Sequence, residues 1–168
     1  GDYTSPRNGQ NHLITINHNL NKYAFLITLV HEIAHLVTYN QHKDRVNPHG
    51  AEWKHNFKVL IQPFLNTEIF PIEVFSALRR YMANPAASSC SDHNLLRTLK
   101  LHDQHSDTIF LEYLPQGALF LYNGSRVFQK GQKIRTRIKC KEISTGAMYL
   151  FSALAEVESF EPNEQSVW

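Results

Sequence analysis

Cysteine is scarce in this chain: Cys90 and Cys140 are the two among 168 residues. That is too few for a disulfide scaffold and too few to close a four-cysteine zinc ribbon, and it points to a reducing, intracellular, cytoplasmic setting. Long hydrophobic runs are also lacking. No stretch approaches the roughly 20 apolar residues that cross a bilayer, so no membrane association is expected. Charge of one sign is nearly absent in the balance, with a net of +2, so any nucleic-acid surface must be a local one. The remaining composition, 42% hydrophobic and 19% charged, is that of an ordinary globular protein. The length accommodates one good core with a small second unit. The first residue is Gly1 rather than methionine, so an upstream segment is expected.

Against that plain background one stretch stands out, His31-Glu32-Ile33-Ala34-His35. On a helix, residues four apart lie on one face, so both imidazoles can reach the same ion. Glu32 projects about 100° to the side, where it can take a proton from a water on the ion's open side. Two neutral nitrogens, a carboxylate and an open position suit a hydrolytic zinc site. The surrounding segment, Tyr23 to Tyr39, is apolar on nearly every side and reads as a helix buried in a core. Burying these polar groups unpaired costs several kcal/mol, about the stability margin of a small domain. A ligand role removes that difficulty; the five-residue pattern alone also fits histidines satisfied within a core.

A catalytic zinc usually takes three protein ligands, so a third is expected downstream. Asn19 or Asn21 can cap the motif helix, expected from Lys22 to Asn40, and residues 41 to 48 are polar, end in Pro48 and form a loop. That loop delivers His49-Gly50-Ala51-Glu52-Trp53 at the start of the next helix. His49 is the favoured third ligand, because a chain reversal returns it to the motif. His42 follows the first helix too closely, and His55 faces away from His49. Trp53 lies at i+4 from His49 and can pack beside its imidazole, or serve simply as a core residue.

Ahead of the motif, residues 1 to 11 read as a loop or strand end, and residues 12 to 17 (His-Leu-Ile-Thr-Ile-Asn) as an edge strand able to bind extended peptide. His18 is read as a surface residue in a turn. Behind it, Phe57, Leu60, Ile61, Phe64 and Leu65 continue a helix, and Pro71 to Ala83 forms another with Val74, Phe75, Leu78 and Tyr81 inward. Residues 85–91 are small and aperiodic and are expected to link a metal-binding core, residues 1–84, to a second part, residues 92–168. That part opens with a short helix and continues as strand-like runs: Ile109 to Leu114, Ala118 to Tyr122, Val127 to Gln129, Gln132 to Cys140, Ala147 to Phe151 and Leu154 to Val157. The tail from Glu156 to Trp168 is acidic and expected to fray. In the stretch from 133 to 141, Lys133, Arg135, Arg137, Lys139 and Lys141 occupy alternate positions, one face of a single strand. With Arg126 and Lys130 nearby and Tyr122 or Phe128 for stacking, that stripe suits a phosphate backbone; it also suits a solvated face that discourages edge pairing.

Taken together, the His-Glu-x-x-His helix and the later His-Gly-x-x-Trp resemble the SprT-like family of zinc metalloproteases, over roughly residues 12 to 84. The resemblance implies an α+β fold: a zincin-like helical core with an edge strand, followed here by a small antiparallel β domain. It implies Zn2+ held by His31, His35 and His49, with Glu32 as general base in hydrolysis of a protein or peptide substrate. Relatives of Spartan type cut proteins crosslinked to DNA, which extends the expectation to DNA, single-stranded or protein-crosslinked, as a partner. Many relatives carry a four-cysteine ribbon after the core, and this chain departs from that with Cys140 alone in the corresponding region. Two other readings stay open: a non-catalytic zinc-stabilised module that binds nucleic acid through the basic face, and a hydrolase of smaller substrates. The imidazole set also admits copper or nickel. An oxyanion donor is not identifiable, with Tyr39, Lys54 and the β half as candidates.

Overall fold

Asn21 starts the longest helix and fastens it at the same time. Its Oδ1 accepts from the backbone N–H groups of Tyr23 and Ala24, at 3.1 and 3.0 Å. Its Nδ2 donates to the carbonyl of Leu99 and to Asp103 Oδ1, at 2.8 and 2.7 Å. Such a cap contributes about 1 kcal/mol. In this computed structural model, which describes all residues except 8, 87–91, 104–106 and 162–168, helix α1 spans Lys22–His42. It ends at Lys43, whose φ of 56° cannot continue a helix and whose N–H closes on the Tyr39 carbonyl.

Helix α1 is buried along one face, by Ile27, Val30, His31, Glu32, Ala34 and Thr38, rather than all round. Phe25 on the other face is 42% exposed. The continuous apolar run therefore overstates burial: half of it covers the core as partly exposed surface. Helix α2, Ala51–Ile61, packs along α1 and stops short of the expected Leu65. Pro63 lacks an N–H, and Gln62–Phe64 tighten into a 3-10 turn. Helix α3, Ile72–Tyr81, follows Pro71 with Val74, Ala77, Leu78 and Tyr81 buried and Arg79 and Arg80 exposed. Helix α4, His93–Lys100, is capped by Asp92 Oδ1, which accepts from the N–H of Leu95 at 2.8 Å.

The chain divides into two compact units, Gly1–Gln104 and His105–Trp168. Helix α4 falls in the first, whereas the sequence groups residues from 92 onward with the strands. Its Leu95 and Leu99 are buried in the same cluster as Ile27, Val30, Trp53, Phe57 and Leu78, and that burial assigns it. Of the linker residues 85–91, those from 87 onward lie outside the described residues. Two short strands complete this unit, β1 (Asp2–Thr4) and β2 (Leu13–Thr15), antiparallel with Tyr3 opposite Ile14. The first lies in a stretch read from sequence as a loop or strand end. Among the described residues no helix is long and apolar enough to cross a membrane.

The second unit is a six-stranded antiparallel sheet of β3 (Thr108–Phe110), β4 (Leu119–Tyr122), β5 (Arg126–Ile134), β6 (Arg137–Glu142), β7 (Met148–Ser152) and β8 (Glu156–Phe160). The fold is therefore α+β. The spatial order is β3-β8-β4-β5-β6-β7, with β8 between β3 and β4. The acidic segment from Glu156, expected to fray, is thus an interior strand as far as Phe160. Alternation explains it, since Val157 is buried while Glu156 and Glu158 are exposed. Strand β3 is shorter than expected because Leu111–Tyr113 turn as a 3-10 segment. The stretch from Gln132 to Cys140 is two strands, not one: the chain reverses at Arg135, φ 55°. Gly131 sits in the resulting bulge, where a Cβ would stand 2.4 Å from the Lys139 carbonyl oxygen. Phe120, Phe128, Ile138, Cys140 and Val157 fill the core of this unit.

One buried acid belongs to that core. Glu142 accepts from Arg126 Nε at 2.7 Å and from the Thr145 hydroxyl at 2.6 Å, and the guanidinium holds its carboxyl down at about 2. An unfolded glutamate titrates near 4.3, so this group stabilises the folded unit fully above that pH and ceases to as the pH falls towards 2. Amide exchange at Phe128–Ile138 is expected to be steady above about pH 5 and to accelerate, after correction for intrinsic rates, as pH falls below about 4. Glu142→Gln is expected to exchange faster at neutral pH and to lose most of that acid dependence.

Candidate metal centre

Helix α1 carries His31 and His35 one turn apart, and the chain returns through a 3-10 turn at Lys43–Arg45 to present His49 immediately before α2. The imidazole nitrogens converge. His35 Nε2 lies 3.2 Å from His31 Nε2 and 3.0 Å from His49 Nε2, and the three ligand atoms all fall within 4.8 Å of one another. Nitrogens about 2.0–2.1 Å from a tetrahedral zinc sit about 3.3 Å apart, close to this spacing.

The donor chemistry tests the fit independently of distance. A neutral imidazole nitrogen carries either a proton or one lone pair, so His35 Nε2 cannot hydrogen-bond to both neighbours well. Three lone pairs aimed at one cation satisfy the arrangement without a proton conflict. Burial lowers all three from the ordinary histidine range, His31 to about 3 and His35 to about 4, with neighbouring imidazoles adding to the effect at His31 and His35. All three are thus neutral at pH 7, the form that ligates metal. The residues present fit a zinc ion.

Trp53 holds the rings in place. Its indole lies 4.6, 5.3 and 4.8 Å, centroid to centroid, from His31, His35 and His49, and stacks on Phe57 at 5.1 Å. It is fully buried and its Nε1 has no hydrogen-bond partner among the described residues, so it serves by its ring faces rather than its N–H. Beneath it a polar clamp ties α2 to α1. Asn56 Nδ2 donates to Thr38 Oγ1 and Gln41 Oε1, both at 2.9 Å, and the Thr38 hydroxyl donates to the Ala34 carbonyl at 2.7 Å. Nothing in the sequence marks Asn56, because a lone buried amide has no periodic signature.

Glu32 is 5% exposed, and burial raises its pKa above the ordinary carboxyl range. It lines, with His31, His35 and His49, a cleft of about 390 Å³. Residues of β1, the end of α1 and the loop after it also line the cleft: Tyr3, Tyr39, Lys43 and Asn47 among others. Tyr3 was missed in sequence, since 28 residues separate it from His31 and only strand pairing brings it back. Lys54 does not line the cleft; its Nζ donates to Asn84 Oδ1 at 2.8 Å. His55 and His18 are exposed, and among the described residues His42 and His55 belong to no metal-type cluster.

The five cations of the second unit are not brought onto one strand face. Lys133 is on β5 opposite Ile138, Arg135 is in the turn, and Arg137, Lys139 and Lys141 alternate on β6 with the buried Ile138, Cys140 and Glu142. These last three form an exposed row beside Leu150 and Met148 of β7, which are 53% and 51% exposed. Phe128 is fully buried on the other side of the sheet, opposite Phe120 and Glu142, and Tyr122 lies on that same side, so neither stacks beside the row. Lys130 is also engaged, donating to the carbonyls of Glu112 and Leu114.

A helix-borne histidine pair, a third histidine after a short loop and a carboxylate in the same cleft define a candidate metal centre of the hydrolytic type. Residues 1–69 match the model of the SprT-like family. No curated protein and no solved structure matched significantly. The family match includes α1, His49 and α2 and ends before α3.

Elemental analysis of the purified protein is expected to find about one zinc per chain, stoichiometry that follows from a single three-ligand site. His49→Ala is expected to lose most of it and His55→Ala none. A His55 variant that loses zinc would show that the cluster is not the site.

Proposed function

We propose that the chain is a zinc-dependent metallopeptidase that hydrolyses peptide bonds in a protein or peptide substrate. The observation that carries this reading is the convergence of His31, His35 and His49 in one cleft with the Glu32 carboxylate. A zinc ion held by the three imidazoles supplies a Lewis acid that acidifies water and polarises a carbonyl. Glu32 accepts the proton of the attacking water and returns it to the leaving nitrogen as the C–N bond breaks. Its burial strengthens it as a base, in the way that enzymes commonly tune carboxylates. Trp53 and the Asn56 clamp keep the imidazoles in position and exclude water behind them. Strand β1 lines the cleft, and an extended backbone can lie along it.

Glu32→Gln is expected to keep zinc at the wild-type level and to lose cleavage by at least about 10²-fold, the usual contribution of a general base. Peptidase assays at matched zinc content check it. Full activity in the variant would remove Glu32 from the mechanism.

A second reading, that the substrates are DNA-associated proteins, rests on the row Arg137, Lys139 and Lys141. These residues project from one side of β6, exposed, with no carboxylate paired to them among the described residues, and alternate residues of a strand are about 6.6 Å apart, a spacing on which successive phosphates can be met. The same row is what a zinc-stabilised, non-catalytic nucleic-acid module would use. Binding of single-stranded DNA is expected to weaken with salt, and changing all three residues to alanine is expected to flatten the log–log slope by about 2. A slope near zero in the wild type would leave the row as solvated surface.

A further inference from the structure

Peptide hydrolysis builds negative charge on the carbonyl oxygen, and a fixed donor aimed at that charge is commonly the largest single contribution to such a reaction. The inference below rests on the peptidase reading. Neither Glu32, an acceptor, nor the three imidazole nitrogens supply a second-row donor, so it must come from elsewhere in the cleft wall. Among the described residues lining the cleft, Thr38 has its hydroxyl committed to the Ala34 carbonyl at 2.7 Å. Lys43 is exposed, its ammonium resting 5.1 Å over the Tyr39 ring. Tyr39 in turn is engaged on its faces and edges by Lys43, His12 and Tyr3.

Tyr3 is placed differently. Its ring lies parallel to that of His35, 3° between planes and 6.1 Å between centroids. Its hydroxyl is 2.8 Å from His12 Nδ1. The strand register accounts for this pair: Tyr3 stands opposite Ile14, so His12, two residues earlier on the facing chain, projects from the same side. Tyr39 packs against both rings, at 6.4 and 5.7 Å. The phenol is therefore fixed by a metal-site imidazole, a second histidine and a tyrosine, and lines the same cleft as Glu32.

Hydrogen accounting then sets its role. A phenol has one proton to donate and lone pairs to accept with. With His12 protonated on Nδ1, the imidazole donates to the Tyr3 oxygen and leaves the phenolic proton to point into the cleft. We infer that Tyr3 is the oxyanion donor of this cleft and that His12 is the positioning residue that fixes its hydroxyl. Tyr3 touches the reacting oxygen only in the transition state; His12 acts through Tyr3.

The test uses zinc-loaded wild type, Tyr3→Phe, His12→Ala and His12→Asn, each checked for zinc content and folding. A fluorogenic peptide cleaved by the wild type gives kcat and KM, and a phosphinic peptide of the same sequence, with a tetrahedral anionic oxygen, gives a dissociation constant. Tyr3→Phe keeps the ring and loses the donor. It is expected to lower kcat by about 10²–10³-fold with KM within about 3-fold, and to weaken the phosphinic peptide by a similar factor as kcat/KM at unchanged zinc. His12→Ala is expected to lose part of the rate, and His12→Asn, which keeps a donor near the Nδ1 position, to recover part of that loss. Should Tyr3→Phe fail to fold, the His12 pair decides alone. Tyr3→Phe within about 3-fold of wild type on both rate and phosphinic affinity overturns the assignment, as does equal activity of the two His12 variants. A zinc-loaded wild type that neither cleaves peptides nor binds the phosphinic peptide overturns the peptidase reading itself, a different outcome from a cleaving wild type indifferent to Tyr3.

Discussion

Three neutral imidazole nitrogens that converge, with His35 Nε2 3.2 and 3.0 Å from the other two, are the constraint on which the first unit depends. Such nitrogens have little to gain from one another beyond a single hydrogen bond. A shared cation would resolve the conflict, and the packing around the rings holds them together. Trp53 contacts all three rings, Phe57 backs the indole, and the Asn56–Thr38–Gln41 clamp fixes the separation of α1 and α2. The helices are positioned for the nitrogens as much as for the apolar core that runs on through Ile61, Leu78 and Leu95.

The same burial that makes His31 and His35 neutral raises Glu32, so one cause produces both a ligand set free of protons and a carboxylate of enhanced basicity. The same cleft is lined by Tyr3, which owes its position to strand pairing. Strands β1 and β2 are three residues each, yet their register places Tyr3 over His35 and His12 behind Tyr3. The second unit is organised on a different principle, alternation across a sheet, and its buried Glu142 is paired with Arg126.

Much of the first unit was legible from residues alone. A cap at Asn19 or Asn21, of which the structure takes Asn21, then α1 and the return of His49 after a polar loop all follow from local chemistry. So does the exposure of His55, one and a half turns beyond. Boundaries were less so: Pro63 ends α2 early, and α4 joins the helical core because Leu95 and Leu99 find partners there, which their own spacing does not reveal. The sheet was misread where alternation continues through a turn. Lys133 to Lys141 keep a strict period of two in sequence, but the reversal at Arg135 puts Lys133 on another strand and leaves a row of three. Periodicity reports which side of a strand a residue takes, and is silent on whether the strand has ended.

What the sequence by itself determined is the chemistry at short range: two histidines a helical turn apart, a carboxylate beside them, and a third histidine within reach of a loop. Those are properties of spacing along a helix, which backbone geometry fixes. Only the tertiary structure decided that Trp53 touches all three imidazoles, that Asn56 locks the helices, and that Tyr3 lies against His35 with its hydroxyl on His12. Each of these depends on strands and helices meeting across gaps in the chain, and contact between distant segments is set by the packing of the whole unit rather than by any local pattern.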